Sequence, residues 1–256
     1  MLDLDILTYS AACNISLLEG VLLTGGKCRD VTSNSTFIIY PYLGKWDNRS
    51  PMSVRRCGHI CVQYNNQIVV IGGFNDTEGS LSSCESYNCY TDKWEGFPSL
   101  RKARKMLSGC VFGNNIYVVG GHSGTYLNTI ERFDSNWTIL NITLPVRLAG
   151  CGVAQISEQE IFICGGVDES NNATSQCFKF NVQSNLLTQA CHMGTRRNFS
   201  KTFAYNGKIY TIGGQPESKN TIEVYDGEEW SYVPENVLFP LENTDNLESS
   251  AFTVLN

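Results

Sequence analysis

A double glycine recurs through this chain, and its period constrains the fold more than any other feature. It falls at Gly25-Gly26, Gly72-Gly73, Gly120-Gly121, Gly165-Gly166 and Gly213-Gly214, at spacings of 47, 48, 45 and 48 residues. Each pair follows a short apolar run: VLLT, IVVI, YVV, IFIC and YTI. An aromatic comes 11 to 14 residues later, at Tyr40, Tyr87, Phe133, Phe180 and Tyr225. Trp46, Trp94, Trp137 and Trp230 stand beyond four of these, and Leu186 or Leu187 takes the missing place. Such a period means one small structural unit repeated, each unit burying its faces against its neighbours. A run apolar at every position fits a strand packed on both sides. Glycines at its end let neighbouring units approach closely and adopt backbone angles closed to other residues. The aromatics then fill the wedge between units.

Two segments, IERFD (Ile130 to Asp134) and IEVYD (Ile222 to Asp226), repeat a Glu-x-aromatic-Asp pattern, and CESYN (Cys84 to Asn88) is a looser copy. With the double glycines, they make the chain resemble the kelch-repeat β-propeller family over nearly its full length. The likeness is to the kelch domain of BTB-kelch adaptor proteins. It implies an all-β propeller of four-stranded blades forming a single domain, residues 1–256. The repeats run approximately over 10–50, 56–100, 104–144, 147–188 and 196–234. Repeats one and four diverge, with Ile38 and Phe178 at the glutamate position. Five double glycines stand against six candidate first strands, the sixth being SSAFTVLN (249–256). The reading is five blades with the ring closed by that C-terminal strand, which would leave residues 1–17 displaced. The alternative is a truncated six-bladed propeller.

Composition narrows the class. The 256 residues suit one large β domain, and a net charge of −6 speaks against wholesale nucleic-acid binding. No 18-residue apolar run is present, so no membrane span is expected. The start, MLDLDILTYSAACNISLLEG, lacks the positive region of a signal peptide. Eleven cysteines, an odd number, read as free thiols in a reducing, cytoplasmic setting. The eight Asn-x-Ser/Thr sequons are then expected to be unused.

Basic residues precede the first strand of repeats two to five: Arg55-Arg56, Arg104-Lys105, Arg147 and Arg196-Arg197. Their common phase, about 15 to 18 residues before each double glycine, places them around one opening. Arginine forks bind carboxylates in pairs of hydrogen bonds. In BTB-kelch adaptors arginines at this point line the pocket for acidic peptide segments, so the resemblance implies a rim of Arg56, Arg104, Lys105, Arg147 and Arg197. A structural role, with Glu85, Glu131 and Glu223 holding the same arginines, is the competing reading. The loops after the double glycines add His122, Tyr126 and Phe74 as exposed candidates. Arg101 and Lys102 thicken the basic patch, and Asp3, Asp5, Glu242, Asp245 and Glu248 give the blade made from the chain ends an acidic contrast.

The expected function is non-catalytic: a protein-interaction module holding an acidic or mixed peptide. In relatives, such a propeller serves a ubiquitin-ligase adaptor or binds the cytoskeleton. No BTB, BACK or F-box segment precedes residue 10, so a bare scaffold or binding subunit is expected. A kelch-fold enzyme acting on an anionic sugar, as a sialic-acid epimerase does, is the enzymatic rival. His59, His122 and His192 share no metal-pair spacing, and no CxxC, Gly-x-Ser-x-Gly, phosphate loop or His-Glu-x-x-His occurs. No cofactor or metal is expected.

Overall fold

The computed structural model describes residues 8–15, 20–216 and 221–233. They form a five-bladed propeller of antiparallel four-stranded sheets. Blade 1 is Ala11–Ile15, Gly20–Thr24, Thr36–Tyr40 and Lys45–Arg49. Blade 2 is Ile60–Tyr64, Gln67–Ile71, Cys84–Asn88 and Lys93–Phe97. Blade 3 is Ser108–Phe112, Asn115–Val119, Thr129–Phe133 and Trp137–Thr143. Blade 4 is Gly152–Gln155, Glu160–Cys164, Cys177–Asn181 and Leu186–Ala190. Blade 5 is Lys201–Tyr205, Lys208–Ile212, Ile222–Tyr225 and Trp230–Tyr232. Ala11–Ile15 therefore supplies the inner strand of blade 1 from the N-terminal end, where a displaced segment was expected. The proposed closing strand, 249–256, lies outside the described residues, as do Asp3, Asp5, Glu242, Asp245 and Glu248.

Register corrects the reading of blade 1 by one residue. Leu23 faces Phe37 and Ile39 faces Trp46. Phe37 and Ile39, rather than Ile38 and Tyr40, thus hold the positions of Glu85 and Tyr87 in blade 2. Tyr40 lies opposite Lys45, whose ammonium is 5.0 Å from the Tyr40 ring centroid.

Four of the five double glycines are contacts between blades. The first glycines have φ between +56° and +63°, the second between +99° and +106°. Gly26, Gly73, Gly121 and Gly166 donate their N–H to Arg56, Arg104, Leu148 and Arg197 of the following blade. A Cβ on Gly120 would lie 2.2 Å from the Leu148 carbonyl oxygen, so no side chain fits. The indoles add a second tie. Trp94, Trp137 and Trp230 donate to the carbonyls of Ser50, Pro98 and Cys191, where the chain leaves the preceding blade.

A backbone belt circles the channel mouth. Tyr9, Gly58, Met106, Gly150 and Phe199 hold equivalent places, all with φ between +52° and +59°. Gly58 donates to Tyr9, Met106 to Gly58, Gly150 to Met106 and Phe199 to Gly150, at 2.7–2.9 Å. The Tyr9 and Phe199 rings meet edge to face, centroids 6.4 Å apart, and bring blades 5 and 1 together at this level.

Candidate functional site

The repeated arginines point inward. Arg56, Arg104 and Arg197 are fully buried. In each case Nη1 donates to the carbonyl of the first glycine of its own blade, Gly72, Gly120 or Gly213, at 2.7 Å. Nη2 reaches Glu85, Glu131 or Glu223 at 2.8, 2.6 and 2.5 Å. Those carboxylates also accept two consecutive backbone N–H groups: Ser53 and Val54, Arg101 and Lys102, Gly194 and Thr195. Each arginine thus clasps a glycine turn, a third strand and an interblade loop. Burial lowers the Arg104 pKa, and Glu131 opposes that shift. In the free protein these three guanidinium groups are therefore not available to a partner. The physical reason is burial: the side chains reach no solvent, and Nη1 and Nη2 are engaged by the glycine carbonyl and the glutamate.

Arg147 belongs to a different position. Leu148, not Arg147, receives the Gly121 N–H, so Leu148 is the counterpart of Arg104. Its blade carries Phe178 where blades 2, 3 and 5 carry glutamate, and both Leu148 and Phe178 are buried. Blade 4 has replaced arginine and glutamate together by an apolar pair. Arg147 is half exposed and approaches exposed Glu169 at 3.5 Å. Arg55, Arg101, Lys102 and Arg196 are likewise exposed on these loops.

The loops after the double glycines lie on the same face, because each bridges the residue following the arginine position. Thr8 bridges Lys27, Cys57 bridges Phe74, Lys105 bridges His122 and Ala149 bridges Val167. This brings together Phe74, Lys105, His122 and Tyr126, four of the candidates. The Lys105 ammonium is 4.7 Å from the half-buried Phe74 ring, and Lys27 is 5.6 Å from the same ring. Lys27 also approaches Asp76 at 3.6 Å, while Asp76 is held by the Thr32 N–H and hydroxyl at 2.7 Å. Those bonds keep its carboxyl below the usual range. His122 packs edge to face on Tyr126, whose hydroxyl donates to Asn171 at 2.8 Å. Partial burial, then Lys105, lowers the His122 pKa. Lys27 was missed by sequence reasoning, although it follows its double glycine at the same offset as Phe74 and His122.

The other histidines stand apart. His59 is buried, with Nε2 2.9 Å from the Thr24 hydroxyl, and burial followed by Arg56 holds its pKa well below 6.5. His192 is exposed beside Gln189. Among the described residues no three His, Cys, Asp or Glu side chains gather as a metal set, and no helix is long and apolar enough to cross a membrane. All eleven cysteines are free.

The family model described as the KLHDC2/KLHL20/DRC7 Kelch-repeats domain matches residues 12–214, and a Kelch motif matches 196–236. The chain belongs to the kelch-repeat family. Among curated relatives of this kelch chain, Kelch-like protein 36 of Bos taurus is 25% identical across 79% of the chain and 35% of the relative. Kelch-like protein 23 of Mus musculus is 26% identical across 88% of the chain and 41% of the relative. Alpha-scruin of Limulus polyphemus is 25% identical across 72% of the chain and 22% of the relative. The kelch chain therefore spans well under half the length of these relatives.

Proposed function

We propose that this propeller is a non-catalytic protein-interaction module that takes an acidic or mixed peptide segment on its loop face. The contact residues are Phe74, Lys105, His122, Tyr126 and Arg147, with Lys27 added and Arg55, Arg101, Lys102 and Arg196 supplying surrounding positive charge. Arg56, Arg104 and Arg197 support that face from within. The observation that carries the reading is the Lys105 ammonium over the half-buried Phe74 ring, with Lys27 on the same ring. Among the described residues Lys105 has no carboxylate within salt-bridge distance, so its charge is available. An apolar ring flanked by ammonium groups suits a segment that alternates carboxylates with apolar side chains. The names of the relatives, Kelch-like proteins and a scruin, fit a protein partner. The free thiols fit a reducing, cytoplasmic setting.

The test is binding of a fluorescent Asp/Glu-rich peptide pool to the full chain, to Lys105→Ala and to Phe74→Ala. Binding should weaken roughly two- to fivefold in each variant, the scale of one exposed charge or cation–ring contact. It should also fall between 0.05 and ~0.15 M salt as screening sets in. Binding that ignores salt and both substitutions would remove the proposal.

A further inference from the structure

The seam between blades 1 and 2 holds a pair of thiols that the proposed peptide site does not use. Side chains along a strand point to opposite faces in turn. Cys13 and Ile15 leave the inner strand of blade 1 toward blade 2 and pack with Leu22, Ile38, Ile68 and Tyr87. Cys61 leaves the inner strand of blade 2 toward blade 1 and packs against the same core. The two inner strands lie side by side, and the Cys13 and Cys61 thiols hydrogen-bond to each other. Cys13 is buried and Cys61 half-buried. Their shared bond lowers the Cys13 pKa, burial opposes it, and Lys201 adds to it. Burial, then Cys13, raises the Cys61 pKa. One sulfur of the pair thus gives up its proton first and the other keeps it. Lys201 acts on both thiols. Among the described inner strands it is the one charged residue, and it is exposed. A second pair makes the contrast. Cys164 and Cys177 lie opposite each other on adjacent strands of blade 4. Both are fully buried, and burial raises Cys164 to about 12 and raises Cys177 as well. That pair is set to stay reduced.

We propose that Cys13 and Cys61 form a redox site, at which an oxidant of the peroxide class converts the two thiols into a disulfide that ties blade 1 to blade 2. The Cys13 thiolate attacks one peroxide oxygen. The O–O bond breaks, Cys13 is oxidised to a sulfenic acid, and the departing hydroxide takes up the proton that Cys13 released. The Cys61 sulfur then displaces the hydroxyl from the Cys13 sulfur, and its own proton leaves with that hydroxyl as a second water. The two thiols lose two electrons in all, and one peroxide becomes two waters. Thiols that already share a hydrogen bond need little movement to reach the S–S distance of about 2 Å. Lys201 supplies the positive charge that favours the thiolate. The loop closed by the bond contains the second, third and fourth strands of blade 1. Oxidation therefore fastens a whole blade to its neighbour. A transient disulfide of this kind suits a pair that senses oxidant in a reducing compartment.

The test treats the full chain with hydrogen peroxide in slight excess and maps disulfides by mass spectrometry. A Cys13–Cys61 link that dithiothreitol reverses is expected, with Cys164 and Cys177 still free. Lys201→Gln, at an exposed position, should slow formation of the link roughly three- to tenfold, the scale of one nearby charge. In Cys61→Ser, dimedone should trap the sulfenic acid at Cys13. No link at a peroxide dose that oxidises exposed Cys191 would overturn the proposal. So would a Cys164–Cys177 link forming first, or a rate that Lys201→Gln leaves unchanged.

Discussion

Arg104 and Glu131 meet at 2.6 Å with neither side chain reaching solvent, and the same pair recurs as Arg56–Glu85 and Arg197–Glu223. In blade 4 the positions are Leu148 and Phe178, both buried. The molecule thus contains its own comparison of a buried ion pair with an apolar replacement. Arg104→Leu alone leaves Glu131 charged and buried, which costs about 3–5 kcal/mol. Adding Glu131→Phe should recover most of that loss, because the blade 4 pairing would be reproduced. Urea unfolding of the two variants checks it. A double variant no more stable than the single one would contradict the equivalence.

The glycines of the repeat separate two costs. Gly113 has φ +57° and nothing within 4 Å of an added Cβ, whereas Gly120 has φ +59° and a carbonyl oxygen 2.2 Å away. Gly113→Ala should cost only the left-handed strain, about 1–2 kcal/mol. Gly120→Ala must also push blades 3 and 4 apart and should cost distinctly more. Thermal melts of both variants, read as the difference between them, make the comparison.

His59 gives a pH dependence whose sign is fixed. Burial depresses its folded pKa, so the unfolded chain binds the proton more readily. Its contribution to stability is complete above the unfolded value of about 6.5 and is lost as pH falls below it. Between pH 7.5 and 5.5 the loss should reach about 1.4 kcal/mol. His59→Asn should abolish this part of the slope, measured by urea unfolding across the range. An unchanged slope would mean that His59 is charged when folded.

The thiols should divide by burial. Cys191 is exposed. Burial raises Cys84 and Cys151 to about 11 and Cys110 and Cys164 to about 12. A thiolate is the reactive form, so a disulfide reagent at pH 8 should label Cys191 first and these four only on unfolding. Peptide mapping after a short exposure reads the order.

The propeller was legible because the double glycine marks a place where neighbouring blades touch backbone to backbone. That contact admits no side chain, so every repeat keeps the signal. Side-chain direction was not legible. The phase of Arg56, Arg104 and Arg197 located them at a common point, but their burial depends on the glycine carbonyl and the glutamate, which come from two other strands. Arg147 was grouped with them because it is the nearest basic residue, although hydrogen bonding puts Leu148 in that place. Lys27 was passed over because its first repeat lacks the glutamate pattern that drew attention to the others.

The central claim is that the repeated arginines hold the blades while the loop face binds the partner. The most direct test is binding of the acidic peptide pool to Arg104→Leu/Glu131→Phe beside Lys105→Ala, each confirmed folded by its melt. The double variant should bind as the unaltered chain does, and Lys105→Ala should bind more weakly. A folded double variant that loses binding, with Lys105→Ala unaffected, would contradict the account and return the buried arginine to the binding site.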